Sequence, residues 1–220
     1  MSKSVRDFIL SLILVVYTTV MILFFQDKFI ELFPVIYPLA GLYFAYNSLS
    51  IYVPTINEFA GSKKPFTYFY KPSKTVTLNK DIIHEDQRNA VLIFILYFSS
   101  LTLIGWFISN YFSQSFIYIF LLFLLLNLAD YVCVLIWCPF RTIFLKNKCC
   151  TTCRITNWDR LMKFWILLFI PHLVSYILFC IGLFIFVHWE ISIYKHPKRF
   201  YAASNEMLRC YHCENMKCKK

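Results

Sequence analysis

Phe116–Cys138 reads FIYIFLLFLLLNLADYVCVLIWC, and Asp130 is its only charged side chain. Apolar residues fill the stretch instead of recurring at a helical or strand period, as hydrocarbon on all sides requires. About twenty residues at 1.5 Å each are needed to cross ~30 Å of hydrocarbon as a helix. The stretch is long enough.

Four more blocks share this character. Phe8–Phe25 carries no charge, and Leu32–Val53 has Pro34 and Pro38 near its start and Asn47 near its end. Ala90–Ser109 and Phe164–His188 complete the set. The sequence therefore predicts an all-α, multi-pass transmembrane bundle of about five spans (8–25, 32–53, 90–109, 116–138 and 164–188). Residues 1–188 form the transmembrane domain, with loops 54–89 and 139–163, and 189–220 form a basic, cysteine-rich tail.

Composition agrees. Hydrophobic residues make up 59% of the 220 and charged residues 15%, against roughly 25% charged in soluble domains. The first block follows Lys3 and Arg6 as a signal peptide would, but it is long for one and no small-residue cleavage site follows, so a retained anchor is expected. Pro34, Pro54 and Pro139 punctuate block ends, and Trp137, Trp165 and Trp189 suit membrane interfaces. Thr156 with Asp159 reads as a capping box opening the fifth helix.

The four glycines, Gly41, Gly61, Gly105 and Gly182, are too scattered to cradle a phosphate. No P-loop, dinucleotide fingerprint, nucleophile elbow or zincin motif is present, so no reaction is assigned. The formal charge of +10 flanks spans, which is a membrane-orientation signal, and nucleic acid is not expected as a partner. With five spans, fourteen Lys and Arg fall on the side of the N-terminus and the two long loops, and eight on the other, seven of these in the tail. The positive-inside rule then places the N-terminus in the cytoplasm of a cell-membrane protein, with the tail dissenting.

Nine cysteines are the other anomaly. Cys133 and Cys180 lie within blocks, as small hydrophobes. Cys138, Cys149, Cys150 and Cys153 gather at the fourth loop, where four thiolates satisfy a tetrahedral zinc site or an iron–sulfur cluster. Cys210, Cys213 and Cys218 gather in the tail, with His212 or His196 as a fourth ligand. A disulfide or an unstructured tail are the other readings there. As a single span, Phe164–His188 puts the two groups on opposite faces; a break at Pro171 would let the block re-enter, but it is too short for a full hairpin.

Ionisable groups within spans are costly and carry a functional hypothesis by default. Asp130 and His172 each lie eight residues from the inner end of their blocks, about 12 Å deep, so a pair is expected, with Asn127 and Asn47 nearby. Such a pair relays protons or locks two helices. His84, Glu85 and Asp86 read as a solvated first turn, and Glu58 and His84 lie within possible reach of the loop cysteines. Three functions follow: a cytoplasmic cysteine metal site in redox or metal handling, a transporter or channel lined by Asn47, Asp130 and His172, or a non-catalytic subunit with structural zinc. The bilayer is the expected environment, with a membrane-protein partner or a second copy as possible company.

Overall fold

The computed structural model describes residues 3–56, 60–73, 80–144 and 152–209. Their helices are α1 (Lys3–Phe24), α2 (Gln26–Leu49), α3 (Lys80–Tyr111), α4 (Ser115–Leu135), the short α5 (Asp159–Phe164) and α6 (Leu173–Lys195). Five of them, all but α5, are long and apolar enough to cross a membrane. Ile13, Leu23, Leu42 and Ile136 leave more than half of their surface outside the fold, which suits a bilayer environment. The chain forms two compact units: Met1–Ser48, Leu96–Cys138 and Asp159–Leu183 in the first, Leu49–Ile95, Pro139–Trp158 and Phe184–Lys220 in the second.

In the first unit, α2 buries Phe29, Phe33, Tyr37, Gly41, Phe44 and Ser48. Those positions recur every three to four residues, one stripe of a helix. Phe33 meets Phe116 and Phe120 edge-on, and Phe44 meets Phe123 at 4.7 Å between ring centres. Pro34 and Pro38 lie inside α2, not at its start as expected. Membrane helices tolerate such prolines because neighbours re-satisfy the freed carbonyls.

The fifth block departs most from expectation. It is not one span: α5 passes into a 3-10 stretch, Trp165–Phe169, and the chain breaks before α6. Pro171 is the cause. It disfavours helical geometry in the residue before it, and Ile170 is extended at φ −100°, ψ 109°. The chain then doubles back, because Trp165 packs on Phe179 at 5.9 Å and Leu161 lies against Gly182. A Cβ on Gly182 would sit 3.1 Å from the Leu161 backbone, and one on Gly105 would sit 2.4 Å from the Phe169 ring. These close approaches need glycine, as small residues at membrane helix contacts generally allow. Asp159–Phe169 is thus a short arm antiparallel to the start of α6, and the spanning helix begins at Leu173, not Phe164.

The second unit joins pieces distant in sequence. Pro72 and Asn205 form an antiparallel bridge. Trp158 packs edge-on against Phe94 and Phe186, and Trp189, Phe200 and Leu208 are buried. Trp189 is therefore not an interfacial anchor: it is fully enclosed and its indole N–H donates to the Arg154 carbonyl at 2.7 Å. Trp165 likewise donates within the first unit, to Thr102 Oγ1 at 3.0 Å.

Candidate functional site

Cys153 lies in the second unit. It is buried, and its carbonyl accepts from Lys64 Nζ at 3.0 Å and from Thr156 Oγ1 at 2.8 Å. Thr156 thus bonds back to Cys153 instead of capping α5 from the N-cap position, since the helix opens three residues later at Asp159. The next carbonyl, Arg154, is the one held by Trp189. Two consecutive peptide groups at the cysteine are therefore fixed by buried donors.

Charges surround this turn. Arg154 Nη2 donates to Glu190 Oε2 at 2.7 Å, and Nη1 lies 3.9 Å from Asp86 Oδ2. Glu190 Oε1 accepts from the Trp158 indole at 2.8 Å, and Asp86 Oδ2 from the Tyr201 hydroxyl at 3.2 Å. Lys64, enclosed almost completely, lies 5.6 Å over the Trp189 ring. Two cations and two carboxylates balance one another, the condition under which buried charge is tolerated. Arg154 Nε is buried and meets no acceptor among the described residues. Burial, and then the Asp86 carboxylate, push the Tyr201 hydroxyl well above its usual pKa. Asp86 belongs to this network, whereas His84 and Glu85 are exposed; all three lie past the first turn of α3, which opens at Lys80.

Arg154 follows Cys153 directly, and Glu190 lies near the end of α6, six residues before His196. Their bond brings the end of the fourth loop beside the beginning of the tail. The rest of the tail root is equally tied down. Ser73 N–H donates to the Ser204 carbonyl at 3.1 Å and Glu206 N–H to the Lys71 carbonyl at 2.9 Å. Asn205, with no exposed surface, accepts from the Lys71 and Met207 N–H groups at 3.2 Å each and donates to the Arg199 carbonyl at 2.9 Å. Arg209 Nη2 donates to Ser73 Oγ at 2.6 Å.

Cys138, also buried, belongs to the first unit. Cys149, Cys150, Cys210, Cys213, Cys218 and His212 lie outside the described residues. Among the described residues, no three His, Cys, Asp or Glu side chains are grouped as metal ligands.

The first unit carries its own polar cluster, and here a second expectation is corrected. Asp130 pairs with Lys163, Nζ to Oδ2 at 3.2 Å, and not with His172. Lys163 also donates to Asn127 Oδ1 at 3.1 Å and lies 3.8 Å from Asp159 Oδ2, while Asn127 Nδ2 donates to Ser11 Oγ at 3.1 Å. Arg160 pairs with Asp159. Burial alone would lower the Arg160 pKa, but its hydrogen bond and charge pairing with Asp159, together with the Asp130 carboxylate and Tyr131, make the net shift upward. His172 serves the turn at Pro171: its Nδ1 accepts from Val174 N–H at 3.2 Å, and its ring meets Tyr37 edge-on. That is helix capping, because the first N–H groups of α6 lack helical acceptors. Asn47 is hydrogen-bonded to Tyr43 within α2.

Lys163, Glu190 and Lys64 are not marked by the sequence, and Arg154 is marked there only as a cation offsetting the charge of the cysteine loop. The main partners, Asp130 for Lys163, Arg154 for Glu190 and the Cys153 carbonyl for Lys64, are distant in the chain, so no local pattern points to them. Comparison with protein-family models, with curated proteins and with solved structures returned no match.

Proposed function

We propose that the chain is an integral membrane protein whose loop-and-tail face carries one thiolate metal site, zinc or iron–sulfur, drawn from both cysteine groups and used in redox or metal handling. The supporting observation is the bond between Arg154 and Glu190, which returns the chain after Pro171 to the turn at Cys153. Chain reach supplies the rest. Cys150 and Cys149 precede Cys153 by three and four residues, within ~14 Å along the chain. Cys210 follows Arg209 directly and Cys213 lies four residues on, again within ~14 Å. Both thiol sets hang on short leads from one unit.

The donor chemistry suits such a group. Thiolates bind zinc and iron–sulfur clusters, and His212 adds an imidazole suited to zinc. The site holds the ion; no reaction step is assigned to it.

The Arg154–Glu190 bond supports counting the tail with the fourth loop in the charge balance. On that topology the N-terminal segment, the two long loops and the tail carry two, six, six and seven Lys and Arg on one side, against Lys28 alone. By the positive-inside rule that side is the cytoplasm of the cell membrane. To test the site, the protein is purified anaerobically, its metal content measured and its visible spectrum recorded. We expect one zinc or one cluster per chain, lost in Cys153→Ser. A metal-free protein, or undiminished metal in Cys153→Ser, would overturn the proposal.

A further inference from the structure

We propose that the turn 63–66 of the second loop and the turn that follows α6 together form a binding site for the headgroup of an anionic phospholipid. Lys195 closes α6, and Lys198 and Arg199 belong to the 3-10 turn Pro197–Arg199 directly after it. The second loop is pinned to both. Arg199 Nη1 donates to the Pro65 carbonyl at 2.9 Å. Phe66, whose N–H donates to the Lys63 carbonyl at 3.0 Å, has its ring 6.1 Å from that of His188 on α6. Lys63 therefore joins Lys195, Lys198 and Arg199 in one patch of the second unit. No cysteine takes part in it.

These four cations are left over once the unit has balanced its other charges. Asp86 and Glu190 are engaged by Arg154, and Glu206 by Lys71. Among the described residues, none of Lys63, Lys195, Lys198 and Arg199 is ion-paired. Lys195 and Lys198 are exposed. Arginine carries five N–H donors, and the bond to Pro65 uses one of them, so donors remain for a phosphate. The backbone beneath the charges is already fixed. The Lys198 carbonyl accepts from Ser204 Oγ at 2.7 Å and the Arg199 carbonyl from Asn205 Nδ2 at 2.9 Å, which spares the ligand much of the ordering cost.

Position makes the occupant a lipid. Lys195 is the last residue of a helix long and apolar enough to cross a membrane, so the cations stand where hydrocarbon gives way to headgroups. Tyr194 beside them is 88% exposed, and Tyr68 in the second loop is 57% exposed. Such rings suit that depth. A soluble anion would meet the cations and leave the rings in water, whereas a phospholipid sets its headgroup on the cations and its glycerol and upper chains against the rings. Each juxtamembrane Lys or Arg strengthens attraction to anionic lipid by about fivefold.

The test uses the full chain, delipidated in detergent and titrated with phosphatidylserine or phosphatidylcholine, with bound lipid read by native mass spectrometry. We expect phosphatidylserine to bind at least about twentyfold more tightly, a preference that fades as salt rises from about 0.05 to about 0.5 M. Lys195→Gln with Lys198→Gln should cut that preference at least about fivefold and leave phosphatidylcholine binding unchanged. Lys28→Gln, at the start of α2, removes a charge elsewhere and should leave the preference intact. Equal binding of the two lipids would overturn the proposal, as would a loss in Lys28→Gln equal to that in the double variant. Complete displacement of phosphatidylserine by inorganic phosphate or a short oligonucleotide would assign the patch to a soluble anion and overturn it too.

Discussion

Arg154 and Glu190 are thirty-six residues apart and meet only if the chain turns back at Pro171, so their coupling energy reports the return. The perturbation is a double-mutant cycle: Arg154→Gln, Glu190→Gln and the two together. Exposed ion pairs contribute about 0.2–1 kcal/mol. Here the side chains are only 9% and 26% exposed and the N···O distance is 2.7 Å, so a coupling of about 1–3 kcal/mol is expected. Either single change should also cost more than the pair is worth, because it strands a charge that its neighbours cannot neutralise alone. Arg154→Gln leaves Glu190 with the Trp158 N–H and Asp86 with the Tyr201 hydroxyl. Glu190→Gln leaves Arg154 with Asp86 at 3.9 Å. The assay is reversible unfolding in mixed micelles with the first-unit helices as an internal control. Strict additivity of the two single changes, within about 0.3–0.5 kcal/mol, would refute the contact and with it the return of the chain.

Other changes probe the remaining parts. Lys163→Met should destabilise by about 1–3 kcal/mol, discounted from the fully buried case because Asp130 is a third exposed. Adding Asp130→Leu should recover most of that loss, as unfolding midpoints would show. Gly182→Val places new atoms against the Leu161 backbone and Phe164, and overpacking of this kind costs about 1–3 kcal/mol; an unchanged midpoint would mean that the arm does not lie on α6. The raised Tyr201 pKa means that the fold prefers the protonated phenol. Its contribution is therefore complete below the ordinary tyrosine pKa of about 10 and is lost as pH climbs from there through the folded value. A stability profile above pH 10 should flatten in Tyr201→Phe.

The sequence carries the first four spans openly because hydrocarbon needs only length and the absence of charge. The stripe on α2 from Phe29 to Ser48 is legible too, being one helical face. The arm was hidden by its own charges. Asp159, Arg160 and Lys163 read as loop residues, yet they are paired with one another and with Asp130, so the segment that packs inside begins before the apolar block does. Pro171 was visible, but a block measured from Phe164 leaves too few residues for a hairpin; measured from Asp159 it leaves enough. Asp130 was assigned to His172 on depth alone, and depth says nothing about which face of α4 a residue occupies. Asn127 and Asp130 are three residues apart, share a face, and that face meets Lys163. At the cysteines, residue type and spacing are legible in the sequence, whereas the return of the chain that sets Glu190 beside Arg154 depends on the turn at Pro171.

Sidedness tests most directly the proposal that the two cysteine groups share one site. Variants that keep only Cys150, or only Cys210, are reconstituted in sealed vesicles of one orientation and treated with a membrane-impermeant thiol reagent before and after permeabilisation. We predict that both thiols label from the same side. Labelling of the two from opposite sides would contradict a shared site and restore a single span between them.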